Sequence, residues 1–140
     1  MFQITLFEGK DLRNIDPMGH QDPFVQFALG KDYKKRSKCI KGGATHPFFN
    51  EEDVLMWVDQ DNWVNDLTVD VLDEDAKEEK PIGSTHFSLL PYMNIPPNNA
   101  KEDSFDLFHF ILLDPKDETS KKEVAKGELV MRVGIILFHG

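Results

Sequence analysis

The chain has 140 residues, a formal net charge of −9 at pH 7 and a pI of about 4.9. Its 40% hydrophobic and 29% charged residues are typical of a globular protein, and we expect a single domain over residues 1–140. The acidic balance argues against nucleic acid as a partner, because phosphates need lysine and arginine to neutralise them. It also predicts repulsion from anionic lipid, unless a cation cancels the charge locally.

The sequence contains few signals for cellular localisation. The single cysteine, Cys39, excludes an internal disulfide and fits a reducing compartment, so we expect a cytoplasmic protein with this thiol buried and inert. Lys10 and Asp11 interrupt the apolar start, so no signal peptide is predicted. No apolar run approaches the ~18 residues of a transmembrane helix.

Short apolar segments follow one another along the whole chain. Some alternate with polar residues and others are continuous, and glycine or proline separates most of them. Both patterns predict strands. The predicted strands are residues 2–6, 24–29, 34–41, 54–58, 67–72, 87–90, 105–113 and 129–138. About eight strands with turns between them indicate an all-β fold, and the spacing is typical of a β-sandwich.

The first predicted loop, residues 16–23, carries an aspartate near each end. Its proline and glycine residues favour a tight turn that doubles back. Asp16 and Asp22 would then approach each other, which costs repulsion unless a cation joins them.

A second acidic segment directly follows the predicted strand 67–72. Alternation in extended chain points Asp73 and Asp75 the same way, and two more carboxylates follow at Glu78 and Glu79. The chain therefore offers two loops rich in carboxylate oxygen.

Calcium is the metal that suits two such loops. It takes about six to eight oxygen ligands in flexible geometry, whereas magnesium demands a strict octahedron. Zinc would need histidine or cysteine, and the five histidines show no ligand spacing. An EF-hand starting at Asp73 is excluded, because its third ligand would be Lys77 and its obligatory glycine would be Glu78.

Three motifs, in order, resemble those of the C2 domain family. Residues 16–25 (DPMGHQDPFV) are similar to the signature D-x-x-G-x-S-D-P-Y-V, and residues 46–51 (HPFFNE) to N-P-x-W-N-E. Residues 71–75 (VLDED), followed by Ile82 and Gly83, resemble V-x-D-x-D…I-G. The motifs and the strands between them extend over almost the whole chain.

The end of the chain adds a topological resemblance. Residues 126–133 (KGELVMRV) are similar to a strand that opens many C2 domains, that of synaptotagmin for example, but here they come last. This order is the circularly permuted one of novel protein kinases C and small plant C2 proteins. The resemblance implies an eight-stranded antiparallel β-sandwich, the C2 fold of type II topology, with calcium loops at one end.

The resemblance also implies a set of metal ligands. They are the side chains of Asp16, Asp22, Asp73 and Asp75 and the backbone carbonyls of Ile15 and Glu74. Lys80 stands where the family has a fifth aspartate, and the loop is about one residue shorter. Glu79 or Glu78 can substitute there, because a longer side chain reaches further.

In this family calcium acts as an electrostatic switch, so we expect calcium-dependent binding of anionic phospholipid membranes by a monomeric targeting or signalling module. Met18 is the candidate for insertion into lipid, although it could equally pack on its own domain. The basic stretch 34–41 is either the solvated face of an edge strand or a phosphoinositide site. In the second case Lys34, Arg36 and Lys38 would share one face.

Two other classes of function compete with this one. An enzyme is not expected, because we find no nucleophile motif beside a base and no phosphate-binding glycine loop. A calcium-independent module that binds a protein partner is the stronger alternative. The missing fifth aspartate favours such a degenerate site, and so do the charged residues 76–80 at the tip of the loop after strand 67–72, which is the third loop of the family.

Overall fold

The computed structural model of the chain describes residues 2–16, 20–57, 65–75, 78–90, 105–113 and 125–135. Eight β-strands lie within these residues. In chain order they are β1 (Phe2–Lys10), β2 (Pro23–Leu29), β3 (Tyr33–Arg36), β4 (Phe48–Met56), β5 (Asp66–Glu74), β6 (Glu79–Ser88), β7 (Phe105–Leu113) and β8 (Ala125–Ile135).

The strands pair antiparallel in the order β3-β2-β5-β6-β7-β8-β1-β4. Among the described residues, the ladder between β6 and β7 has one residue pair, Ser84 with Leu113. The strands therefore form two four-stranded halves, β3-β2-β5-β6 and β7-β8-β1-β4. The last strand, β8, lies directly beside the first, as the permuted order predicts. The expected all-β sandwich is confirmed.

The core lies between the two halves. Along β5, Leu67, Val69 and Val71 point inward and are buried, while Thr68 on the other face is exposed. This alternation is what places one face of a strand in the core. The fully buried residues from both halves include Ile4, Leu6, Val25, Phe27, Met56, Val69, Val71, Leu129, Met131 and Val133.

Three strands differ most from their predicted bounds. β6 begins at Glu79, eight residues before the predicted strand at Phe87, because its charged and proline-containing start hides the alternation. β4 begins at Phe48 rather than Val54, ahead of two residues, Asn50 and Glu51, with positive φ. β3 ends at Arg36, so it is shorter than the predicted basic strand.

The pairing of β2 with β5 decides where the acidic loops lie. Pro23, the first residue of β2, is the register partner of Asp73, near the end of β5. Because the two strands run antiparallel, the loop that leads into β2 and the loop that leaves β5 emerge at the same end. We call this the acidic end of the sandwich.

Gly127 fixes the start of β8 against the chain that leads into the first loop. It has a φ of +84°, and a Cβ at this position would lie 2.8 Å from the carbonyl oxygen of Asp11 and 2.9 Å from the Cα of Leu12. Only glycine combines this backbone conformation with so close an approach.

We predict that Gly127→Ala lowers the free energy of unfolding by about 2–4 kcal/mol, because left-handed strain and a backbone clash add together. Urea unfolding measures the loss. Gly42→Ala is the matched control: Gly42 has a φ of +70° with nothing within 4 Å of an added Cβ, so strain alone should cost about 1 kcal/mol. Equal losses in the two variants would contradict the close approach at Gly127.

Candidate functional site

The centre of the acidic end is a pair of aspartates, one from each loop. Asp73 is only 6% exposed, and Oδ1 of its carboxylate accepts a hydrogen bond from the backbone N–H of Asp22 at 2.7 Å. In return the backbone N–H of Glu74 donates to the carbonyl of Asp22 at 3.0 Å. These two bonds tie the first and third loops together.

Asp22 is held from a third direction as well. Its Oδ1 accepts a hydrogen bond from the backbone N–H of Gly42 at 2.7 Å. Among the described residues, no hydrogen bond reaches the other carboxylate oxygen, Oδ2, of Asp22 or Asp73. Each carboxylate is thus oriented through one oxygen and leaves one for a further partner. An oxygen-only donor set of this kind fits calcium better than zinc.

A buried glutamine, Gln21, shapes the first loop. Its Oε1 accepts a hydrogen bond from the backbone N–H of Ile15 at 3.1 Å, and its Nε2 donates to the carbonyls of Arg13 at 2.9 Å and Ala44 at 2.6 Å. Gln21 is only 1% exposed. This role was not predicted from the sequence, although the family signature has a small polar residue at the same position.

Asp16 and Asp75 lie at the same end, near a lysine. The Nζ of Lys80 is 3.2 Å from Oδ2 of Asp75. The hydrogen bond and charge of Asp75, with smaller contributions from Glu78 and Asp16, raise the pKa of Lys80, so its ammonium stays charged at neutral pH. Asp16 itself is oriented through its backbone N–H, which donates to Oδ1 of Asn14 at 3.1 Å.

Glu79 does not join the aspartates. Both its carboxylate oxygens pair with the guanidinium of Arg36, with Nη2 to Oε2 at 2.9 Å. Arg36 also donates from Nε to Oε1 of Gln26 at 2.9 Å and lies over the ring of Phe24, 5.2 Å from its centre. Glu79, the candidate fifth metal ligand, therefore lies on the outer face of the sheet beside Arg36, a candidate lipid-binding residue.

Basic side chains of β3 have acidic neighbours that the sequence does not reveal. Lys34 and Arg36 share the outer face of β3, as alternation predicts. Burial raises the pKa of Asp70, and the positive charge of nearby Lys34 offsets part of that rise. Lys34 therefore has an acidic neighbour as well. Lys38 lies beyond the end of β3, where its backbone N–H donates to Oε1 of Glu52 at 2.8 Å.

Two further findings define the extent of the site. Met18, the candidate for insertion into lipid, lies outside the described residues. Within the described part of the chain, no three histidine, cysteine or acidic side chains converge closely enough to form a complete metal cluster. The structure thus joins Asp22 with Asp73 and brings Asp75 to Lys80.

Cys39 lies beside this pair of loops and is half-buried, so the prediction of a buried thiol was wrong. Its Sγ is 3.4 Å from the carbonyl oxygen of Asp22, and with Phe24, Arg36 and Glu74 it lines a cavity of about 140 Å³. Burial, together with the hydrogen bond and charge of Glu74 and the charge of Asp22, raises the pKa of the thiol to about 12. The thiol is therefore a reporter of negative charge at the acidic end.

Comparison with known proteins identifies the family. A sequence profile described as C2 domain matches residues 1–107. The chain therefore belongs to the C2 domain family, as its three motifs predict. A C2 and GRAM domain-containing protein from Arabidopsis thaliana is 29% identical over 132 residues, which cover 94% of this chain and 12% of that protein. The chain thus spans a small part of this relative.

Solved structures share the fold. A C2 domain of plant extended synaptotagmin 1, known at 2.0 Å, has a TM-score of 0.71 at 19% identity, over 99% of this chain and 95% of that chain. A calcium-bound structure of two C2 domains of extended synaptotagmin 2 has a TM-score of 0.64 at 22% identity, over 94% and 44% respectively. In the described residues no helix has the length and hydropathy to span a bilayer.

We predict that calcium accelerates alkylation of Cys39. With a pKa of about 12, the folded thiol should react at pH 8 roughly a thousandfold more slowly than an unfolded cysteine, because the thiolate is the nucleophile. A cation beside Asp22 would lower that pKa and raise the rate. Iodoacetamide labelling followed by mass spectrometry, with calcium or chelator, measures it. The urea-unfolded chain is the control, and a rate indifferent to calcium would contradict a metal beside Asp22.

Proposed function

We propose that this C2 domain binds anionic phospholipid membranes in a calcium-dependent manner through the acidic end of the sandwich, and acts as a targeting or signalling module. The observation that carries the proposal is the pair Asp22 and Asp73. Two loops distant in sequence are locked so that each presents a carboxylate with one oxygen already oriented by a backbone N–H. Such preorganisation lowers the cost of bringing like charges together.

The residues proposed to hold the ion are all oxygen donors. They are the carboxylates of Asp16, Asp22, Asp73 and Asp75 and the backbone carbonyls of Ile15 and Glu74, with Gln21 holding the backbone of the first loop in place. Calcium, when bound, would supply positive charge and open coordination positions for lipid oxygen. The calcium-bound structure of a relative with the same fold supports this choice of metal.

Charge explains why the ion would control membrane binding. The chain carries a net charge of −9, so an anionic surface repels it without a cation. Membrane binding and calcium binding would then strengthen each other to the same degree, as thermodynamic linkage requires. We propose a monomer that resides in the cytoplasm and is recruited to membranes when calcium rises.

Phosphoinositide binding on the basic strand is the less direct part of the proposal. Lys34 and Arg36 lie on one outer face, as such a site needs, but Arg36 is engaged by Glu79. A phosphate group would have to replace that carboxylate. Phosphatidylserine contacted through the acidic end is therefore the first expectation, and phosphoinositide the second.

A calcium-independent module that binds a protein is the second candidate. The specific observation in its favour is Lys80, whose ammonium already neutralises Asp75. Either module would act by binding, and we propose no catalytic role. A thermal melt with calcium or chelator separates the two candidates, since a bound ion raises the melting temperature by mass action.

We predict that wild-type protein co-sediments with phosphatidylserine vesicles in calcium and stays in solution in chelator or with neutral lipid. Asp73→Asn keeps the acceptor for the Asp22 N–H but removes a ligand charge. It should therefore raise the calcium concentration for half-maximal binding by about tenfold or more. Liposome co-sedimentation across a calcium series measures this.

Asp66→Asn is the matched control, because it removes the same charge from the opposite, exposed end of β5. It should bind vesicles as wild type does. If the two variants need the same calcium concentration, Asp73 is not a ligand. If wild-type binding is equal in calcium and chelator, the calcium-dependent function is wrong and the protein-binding candidate is preferred.

A further inference from the structure

We infer that Lys80 is a specificity-determining residue of the acidic end, where its ammonium acts as a built-in cation that competes with calcium. This inference rests on the proposed function and adds to it the reason for a weakened calcium response. Three observations carry it: the register of β5 with β6, the contact with Asp75, and the opposite orientation of Glu79.

The register places Lys80 on the side of the ligands. Asp73 and Lys80 are direct cross-strand partners in the β5–β6 ladder, and partners of this kind project to the same face. Consecutive residues of a strand project to opposite faces, which directs Glu79 to the outer face. The sheet thus presents a lysine, and turns a glutamate away, where a further carboxylate would complete the ligand set.

The contacts agree with the register. The Nζ of Lys80 lies 3.2 Å from Oδ2 of Asp75, while Glu79 pairs through both oxygens with Arg36. Each of these two neighbours is therefore held in its orientation by a partner of opposite charge. Glu79 can approach the aspartates only if it leaves Arg36 and the strand reverses its alternation.

The ammonium is a competitor that can leave. The side chain of Lys80 is 45% exposed and that of Asp75 38% exposed. Ion pairs as exposed as this one are weak, because water screens them. A divalent cation can displace one, but the displacement and the residual positive charge both lower its affinity. We therefore infer that calcium binds first beside Asp22 and Asp73, and that Asp75 is shared between calcium and Lys80.

The resting chain also gains from this lysine. Without calcium, Lys80 neutralises part of the charge that gathers at the acidic end, so the two loops can stay together. Compared with wild type, a variant without this charge should be less stable in chelator and should gain more stability from calcium. Opposite effects in the two conditions distinguish competition from a merely structural role, which would change both in the same direction.

The experiment compares wild type with Lys80→Gln, Lys80→Arg and Lys31→Gln by isothermal titration with calcium chloride, together with thermal melts in chelator and in calcium. Lys80→Arg keeps the positive charge. Lys31→Gln removes the same charge from an exposed residue just after β2, at the opposite end of the sheet.

We expect Lys80→Gln to bind calcium about tenfold more tightly, while the other two variants stay within about twofold of wild type. In chelator, Lys80→Gln should melt at a lower temperature than Lys31→Gln.

The outcomes separate this inference from the proposed function. If wild type binds calcium and Lys80→Gln binds it no more tightly, the inference is overturned and the proposed function stands. If only Lys80→Gln binds calcium, the inference is supported and calcium dependence of the wild type is refuted. If no variant binds calcium, both are refuted. Tighter binding by Lys31→Gln as well would reduce the effect to net charge and overturn the inference.

Discussion

The acidic end depends on one constraint, the antiparallel register that sets Pro23 opposite Asp73. This register makes two loops about fifty residues apart in the chain into immediate neighbours. A hydrogen bond of 2.7 Å from the backbone nitrogen of Asp22 to Oδ1 of the buried Asp73 holds them together. The cost of burying that carboxylate is met by this backbone donor. Gln21 then holds the backbone of the first loop through the N–H of Ile15, and the N–H of Gly42 orients the carboxylate of Asp22.

Around this pair the structure balances charge locally. Lys80 lies with Asp75 and Arg36 lies with Glu79, so the start of β6 contributes a cation to one face and an anion to the other. A chain with a net charge of −9 can thereby hold its acidic loops together without an external ion. The same balance would limit its response to calcium and to lipid phosphate, since each ligand must displace an internal partner.

The strand pattern predicted the sandwich, and the resemblance to C2 domains predicted the permuted order and the placement of both acidic loops at one end. Alternation along β5 reveals which face is buried, and three motifs reveal the family. The start of β6 was missed, because Glu79, Lys80 and Pro81 show no apolar period. The partners of Lys80, Glu79 and Gln21 could not be predicted either. They follow from cross-strand register and from backbone donors, which leave no periodic trace in the sequence.

The central claim is that calcium binds between Asp22 and Asp73, and amide chemical shifts test it most directly. In a calcium titration of ¹⁵N-labelled protein, we expect the largest shifts at the N–H groups of Asp22, Gly42 and Glu74. Two of these N–H groups donate to the proposed ligand carboxylates and the third to the Asp22 carbonyl. Shifts confined to other parts of the chain, or none at millimolar calcium, would contradict it.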